Sequence, residues 1–179
     1  MKSIKYICCA AVITAAQMVG ANAQVAPTAA EIASYSGLHH AAHTGDVAEI
    51  KRLIAAGADL NSRDNSSRTP AHVAAFASQD AALTALARGG ADMNALEGGI
   101  YDVVTIAAVA NDPEMVSLAM ELGNKPDLIT SIYVGTALIA AAHLGHFDVV
   151  ERLVKGGAPL DHVNNLGWTA RIEAVVLGD

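Results

Sequence analysis

The sequence predicts an all-α solenoid, a stack of helix–turn–helix units joined by β-turn or hairpin loops, and two periodic markers predict it. Gly57, Gly90, Gly123 and Gly157 each follow an apolar stretch, at intervals of 33, 33 and 34 residues. The expected start of each first helix recurs at nearly the same spacing, at Thr69, Asp102, Thr136 and Thr169. Two markers with one period indicate a tandem array, and arrays act through extended surfaces.

The second unit shows how each repeat is built. Thr69 is typical of a helix N-cap, and Pro70 suits the first helical position because its missing N–H has no intrahelical partner there. A first helix is predicted over 71–77 and a second over 81–87, each rich in small or apolar residues. Gly90 then follows the second helix, where a left-handed cap favours glycine.

The residue between the two helices supports the register of the other units. It is Gly45 in the first unit and Gly145 in the fourth. Asn111 takes this place in the third unit, and asparagine tolerates the left-handed conformation. Ser78 in the second unit fits the requirement less well.

These motifs resemble the ankyrin-repeat family. Its pattern is a β-turn plus two helices in about 33 residues, opened by T-P-L-H-x-A. The opening stands here as TPAHVA over 69–74 and, without threonine and proline, as LHHA over 38–41. The third unit departs most, with Asp102 and Val103 in place of threonine and proline. The resemblance covers 31–179 and implies a scaffold that binds a protein partner on its concave face, without catalysis.

The period also divides the chain into units. After an N-terminal segment over 24–30, we place repeats at 31–63, 64–96, 97–130 and 131–163, with a partial fifth at 164–179. The fifth unit has only its first helix, and a repeat cannot bury its apolar face alone. We therefore expect the natural protein to continue for another repeat or two. An unusual C-terminal cap is the alternative.

Residues 1–23 have the features of a secretory signal peptide. Lys2 and Lys5 precede a short apolar stretch, and Ala21-Asn22-Ala23 is a small-x-small cleavage site. We expect cleavage after Ala23 and a periplasmic or secreted bacterial protein; an uncleaved anchor is the alternative. Both cysteines lie within this leader, so the mature chain would contain no thiol.

The charge balance narrows the class of partner. The chain carries a formal net charge of −7, and loss of the leader removes two lysines and no acidic residue. An acidic surface repels nucleic acid and anionic membranes. We expect a monomer that binds a protein, with no nucleic-acid partner and no membrane contact after cleavage.

No motif in the sequence predicts an enzyme or a cofactor. There is no G-x-S-x-G elbow, and carboxylates such as Asp59 and Asp92 fall at turn positions. His39 and His43 have the spacing of two metal ligands on one helix. The resemblance instead implies that His39 and His72 bind neighbouring loops, so we predict no metal site. A histidine-based metal carrier, or an accessory subunit that protects or positions an exported enzyme, stay as alternatives.

The aromatic residues predict a binding surface. Five of the six outside the leader fall on turns or first helices, which line the concave face in the family, whereas Phe147 is predicted to lie in the core. Aromatic side chains often dominate protein–protein binding. The alternative is that they brace adjacent turns. The predicted protein-binding residues are Tyr35, Arg63, Arg68, Phe76, Tyr101, Tyr133, His143 and Trp168.

Overall fold

The computed structural model describes residues 24–98 and 100–172, and their regular structure is helical. A short helix, α1, spans Ala29–Ser34. Four helix pairs follow: α2 Gly37–Thr44 and α3 Val47–Ala55, α4 Pro70–Phe76 and α5 Asp80–Gly89, α6 Val103–Val109 and α7 Pro113–Glu121, α8 Ala137–Leu144 and α9 Phe147–Lys155. Within the described residues, strand-like pairing is limited to one bridge between Glu97 and Tyr101. The predicted all-α repeat fold is confirmed.

The helices form two layers with the core between them. The first helices α2, α4, α6 and α8 pack side by side in chain order, and so do the second helices α3, α5, α7 and α9. Paired alanines on the first helices allow close approach, while larger side chains of the second helices fill the space between the layers. The buried residues of this core include Ala41, Ala42, Ala74, Ala75, Ala107, Ala108, Ile50, Leu83, Leu86, Met115 and Leu153.

A left-handed residue separates the two helices of every pair. Its φ is 70° at Gly45, 49° at Ser78, 56° at Asn111 and 70° at Gly145. The prediction from the glycines and Asn111 is therefore confirmed, and it extends to Ser78. A side chain in this conformation costs roughly 1–2 kcal/mol, and less for asparagine, so Ser78 carries a strain that the glycines avoid at this position.

The structure contains one helix that the sequence analysis did not predict, and it contradicts one expectation. The segment over 24–30 and the start of the first repeat contain α1, which begins after a capping box in which Thr28 and Glu31 bond each other's main chain. The T-x-x-E signature of that box is visible in the sequence. Phe147 is not a core residue: it is 60% exposed, because the buried stripe of α9 runs through Val149 and Leu153 instead.

The predictions of a signal peptide and of a partial fifth repeat concern the two ends of the chain. The predicted signal peptide, residues 1–23, and the last residues of the partial fifth repeat, 173–179, lie outside the described residues. Helical geometry begins again at Ala170. In the described part of the chain, no helix is long and apolar enough to cross a bilayer.

Candidate functional site

Residues at equivalent positions of successive repeats line up into three columns along the turns and first helices. The turn column lies four residues before the junction column, which precedes each first helix, and the helix column takes the histidine position of the family motif. The first member of the turn column, Glu31, lies in α1, and the later members lie in loops. The turn column is Glu31, Asp64, Glu97, Ser131 and Asn164; the junction column is Tyr35, Arg68, Tyr101, Gly135 and Trp168; the helix column is His39, His72, Thr105 and Ile139. Each column is ionisable early in the chain and mostly uncharged later.

A short side chain in the turn column closes its own turn. Asp64 Oδ1 accepts from the main-chain N–H groups of Ser66 and Arg68, at 2.9 and 2.8 Å. Asn164 Oδ1 does the same for the two equivalent N–H groups of its own turn, both at 3.0 Å. Ser131 Oγ accepts at 3.2 and 2.9 Å from its turn. The local fold of three loops therefore depends on one polar atom at this position.

Arg68 is the centre of a polar cluster that joins three repeats. It is only 4% exposed. Its Nη2 donates to Glu31 Oε1 at 2.9 Å and its Nη1 to the Tyr35 hydroxyl at 3.1 Å. Carboxylate oxygens of Asp64 and Glu97 lie 3.5 and 3.6 Å from the guanidinium. Arg68 thus faces inward, and its guanidinium holds side chains of three repeats together below the surface.

The contacts within this cluster shift the pKa values of Glu31 and Tyr35. A hydrogen bond from Ser66, with others from Thr28, lowers the pKa of Glu31 to about 2. Burial, and a hydrogen bond to Asp64, raise the pKa of Tyr35 to about 12. Glu31 is therefore ionised and Tyr35 neutral at physiological pH. The Phe76 ring lies against the same guanidinium, 5.9 Å from its carbon, in a cation–π contact.

Glu97 departs from the rule of its column. It is 8% exposed, and its Oε2 accepts no hydrogen bond. Its main chain pairs with Tyr101, whose carbonyl accepts from the Glu97 N–H at 2.7 Å, and the left-handed residue of this turn is Gly98. Burial raises the pKa of Glu97 to about 7 although Arg68 opposes the shift.

His72 is a buried structural residue whose tautomer follows from its partners. Nδ1 accepts from the main-chain N–H of Thr69 at 3.1 Å, while Nε2 faces the carbonyl oxygens of Ala95 and Tyr101 at 3.0 and 3.2 Å. Carbonyls only accept, so Nε2 carries the hydrogen. Burial lowers the pKa of His72 to about 4, so the ring is neutral. His39 contacts the Arg68 carbonyl in the same way at 3.0 Å, as the resemblance implied.

An apolar groove lies between the third and fourth repeats. It has a volume of about 540 Å³, and Tyr101, Tyr133 and His143 line it together with the apolar side chains of Ile139 and Leu166. The structure thus brings three of the predicted binding residues together. In the wall of the groove, the Thr105 hydroxyl donates to that of buried Thr130 at 2.7 Å, which braces α6 against the following loop.

The other predicted binding residues lie apart from this groove. Tyr35, Arg68 and Phe76 belong to the polar cluster described above. Arg63 is exposed, but its Nη1 bridges two loops by donating to the carbonyls of Ser67 and Leu96 at 2.6 and 2.8 Å. Trp168 is half-buried at the next junction, and its main chain closes the 164–168 turn.

Sequence reasoning missed Glu97, Ile139 and Leu166. Ile139 occupies the helix column, so an apolar residue where earlier repeats have histidine was the signal for a change of surface. Glu97 occupies the turn column, but its significance depends on burial, which the period does not report. Among residues 24–98 and 100–172, no group of three or more His, Cys, Asp and Glu side chains is arranged to hold a metal ion.

Comparisons with known proteins assign the family. A family model of ankyrin repeats in many copies matches residues 38–79, and one of three ankyrin repeats matches 104–179. The chain is 32% identical over 141 residues to the ankyrin repeat protein YahD of Escherichia coli strain K12. The matched region covers 78% of this chain and 69% of that protein. The chain belongs to the ankyrin-repeat family.

A second relative carries an enzyme's name. The chain is 31% identical over 129 residues to the glycerophosphocholine phosphodiesterase gde1 of Schizosaccharomyces pombe strain 972, over 72% of this chain but only 8% of that protein. The similarity therefore covers a small part of that enzyme. Ankyrin repeats are generally non-catalytic and mediate protein–protein interactions, so this ankyrin-repeat chain is an interaction scaffold.

Proposed function

We propose that this ankyrin-repeat protein is an exported bacterial scaffold that binds one partner protein across its turn and first-helix face, with the apolar groove as the main contact. The observation that carries the proposal is the groove itself, in which two tyrosines from neighbouring repeats flank Ile139. Large aromatic side chains beside apolar neighbours are typical of the residues that dominate protein–protein binding.

Rigidity of the groove supports the same conclusion. The first helices behind it are locked by buried alanines, and the Thr105–Thr130 hydrogen bond fixes the loop that carries Tyr133. A surface that is ordered before binding loses little conformational entropy when a partner arrives. Recognition would then require no chemistry and little rearrangement of the scaffold.

Capture of the partner tests this function. A tagged chain is expressed with its leader, and partners are recovered from the cell envelope of the expressing bacterium. Tyr101→Ala and Tyr133→Ala should weaken capture by at least roughly tenfold, as truncation of a dominant contact does. The thermal midpoint should fall by no more than a few degrees.

A matched control separates this result from general loss of aromatic surface. Phe147 is an exposed aromatic residue at the start of α9, outside the groove. Phe147→Ala should leave capture unchanged. Undiminished capture by both tyrosine variants, or loss of folding without a separate loss of binding, would assign the tyrosines to bracing of the turns.

The proposed location has its own test. The composition of residues 1–23 supports export, with a positive start, a short apolar stretch and a small-x-small site. Purified protein from the periplasm should begin at Gln24 when its N-terminus is sequenced. Recovery of the intact chain from the cytoplasm would contradict export and leave the scaffold function to be judged by capture alone.

A further inference from the structure

The polar cluster contains more negative charge than its single cation offsets. Glu31, Asp64 and Glu97 all lie within 3.6 Å of the Arg68 guanidinium, which is the only cation paired with them in the described part of the chain. Three carboxylates around one guanidinium leave an excess of negative charge when all are ionised. The chain as a whole is also acidic, with a formal charge of −7.

Two of these carboxylates have full sets of partners and the third does not. Glu31 Oε1 accepts from Ser66 Oγ at 2.6 Å and from Arg68 at 2.9 Å, and its Oε2 accepts from the Thr28 N–H at 2.8 Å. Asp64 closes its own turn through Oδ1 and accepts from Tyr35 through Oδ2 at 2.9 Å. Glu97 has its 3.6 Å ion pair with Arg68, but its buried Oε2 accepts no hydrogen bond.

The extra methylene of Glu97 explains this difference. At the same position, shorter Asp64, Ser131 and Asn164 fold back onto their own turns. Glu97 instead places its buried Oε2 beside Arg68, and the residue lines a cleft of about 270 Å³. A buried oxygen without a hydrogen bond costs free energy and is uncommon in native structures, so this one requires an explanation.

The lining of the cleft suits a long side chain with a charged end. Val25, Ile100 and Tyr101 provide apolar wall, and Glu97 and Ser66 provide oxygen atoms. Arg68 also lines the cleft, but three carboxylates surround its guanidinium, so the site stays acidic when they are ionised. Lysine and arginine both bury an aliphatic stem along apolar surface and place the cationic head against a carboxylate. A neutral donor would satisfy the oxygen but not the charge of the cluster.

We propose that this cleft receives one lysine or arginine side chain of the partner protein, with its cationic head on the Glu97 carboxylate. The inference rests on the proposed scaffold function and adds to it a basic contact beside the apolar groove. Tyr101 lines both cavities, so one partner surface can occupy them together.

The ionisation of Glu97 gives a direct readout. Burial raises its pKa to about 7, and the charged groups that act on it are Arg68, Asp64 and Glu31, with Tyr101 beside it. A bound cation stabilises the carboxylate and displaces the proton. Occupation of the cleft therefore lowers the pH at which Glu97 titrates.

The test uses methylguanidinium as the probe and the full chain as the protein. The side-chain carboxyl carbon of Glu97 is followed by NMR across pH, in methylguanidinium chloride, in sodium chloride of equal ionic strength, and in methylurea as a neutral isostere. We expect methylguanidinium to lower the titration midpoint by roughly one pH unit. The same shift in sodium chloride, or no shift with the probe, would overturn the proposal.

Two variants show that Glu97 itself is responsible. Glu97→Asp keeps the charge but shortens the side chain, so its carboxylate should close the 97–101 turn as Asp64 closes its own; its titration should not respond to the probe. Glu121→Gln removes an exposed carboxylate at the end of α7 and should leave the Glu97 response intact. A response of the Glu97→Asp variant as large as that of the wild-type chain would contradict the proposed geometry.

Two further experiments test the cleft independently of the proposed function. Tyr133→Ala should lose partner capture but keep the methylguanidinium response, so failure of capture and failure of the cleft are read independently. The N-terminus of the cleaved chain is a rival occupant, because Val25 lines the cleft and the Gln24 main chain bonds Tyr101. If a chain that begins at Gln24 no longer responds to the probe, while the uncleaved chain does, that amino group fills the cleft and the proposal fails.

Discussion

The turn and first-helix face has two halves built from the same backbone positions. In the first three repeats, the columns contribute Glu31, Asp64, Glu97, Arg68 and two histidines, and the surface is held by ion pairs and hydrogen bonds. Towards the fourth repeat, the same columns contribute serine, glycine and isoleucine, and the surface opens into the apolar groove. The repeat fixes where each side chain lies, whereas the residue at that place decides what the surface can bind.

The two halves should respond differently to truncation. A buried charge that loses its partner leaves an uncompensated group in a place that water does not reach, which costs far more than the pair contributes. Truncation of a groove side chain removes mainly half-exposed contact area, although Tyr101 also bonds the Gln24 main chain. Stability should therefore be concentrated in the polar half and binding in the apolar half.

Arg68→Ala should produce the largest loss of stability. It leaves three carboxylates without their shared cation, and breaking a buried pair of this kind costs roughly 3–5 kcal/mol. Urea unfolding followed by circular dichroism measures the loss. Arg52→Ala is the matched control, because the Arg52–Glu49 pair is solvent-exposed. Its removal should change the free energy of unfolding by no more than the experimental error. A small effect of Arg68→Ala would show that the polar half is not a stabilising unit.

Acid should weaken the polar half through His72. Its pKa is lowered from 6.5 to about 4 by burial, so the unfolded chain binds the proton first as the pH falls. Stability from the neutral ring is complete above pH 6.5 and is lost on acidification towards pH 4, by up to about 3 kcal/mol. Ile139, at the same position of the fourth repeat, cannot titrate.

The measurement of that effect needs a background without Glu97, which acts in the opposite direction over an overlapping range. The free energy of unfolding is compared between Glu97→Gln and the double variant with His72→Gln, from pH 7 to pH 4. The single variant should lose stability on acidification, and the double variant should lose less over the same range. Parallel curves would mean that His72 does not titrate as a buried ring.

Glu97→Gln should stabilise the protein in alkaline solution. The pKa of Glu97 is raised from 4.5 to about 7, so its ionised form is disfavoured in the folded chain. Wild-type stability should fall as the pH rises from 4.5 through 7, and the variant should be more stable at pH 8 by about 1–3 kcal/mol. At pH 4.5 the two should be close. Glu121→Gln should show no such pH dependence. If Glu97→Gln is less stable than the wild-type chain at pH 8, the ion pair with Arg68 outweighs the cost of burying the Glu97 charge, and the prediction is wrong.

The sequence predicts the frame of this comparison better than its content. The glycine period predicts the helix pairs and the left-handed residues between them, because backbone conformation restricts residue type at each repeat. It gives no sign that Arg68 faces inward, since burial of an arginine depends on the carboxylates of two other repeats. Phe147 shows the same limit: its place along α9 puts the ring outside the buried stripe, and apolar character alone does not distinguish an exposed position from a buried one.

The smallest expected effect compares the turns of the two halves at one equivalent position. Ser67 and Val134 both adopt left-handed backbone, with φ of 64° and 58°, where the fifth unit has Gly167. Branching at Cβ makes this conformation more costly for valine than for serine. Val134→Gly should raise the free energy of unfolding by about 1 kcal/mol, after allowance for the entropy that glycine loses on folding.

Ser67→Gly is the matched variant, and it should stabilise the protein less than Val134→Gly does. Both are measured by urea unfolding under the same conditions. If Val134→Gly stabilises the chain and also weakens partner capture, the strained turn is holding Tyr133 in its place in the groove, since strain persists where the surrounding structure requires it. If the two glycine variants are equal in stability, the valine turn stores no excess strain, and the difference between the halves lies in their side chains alone.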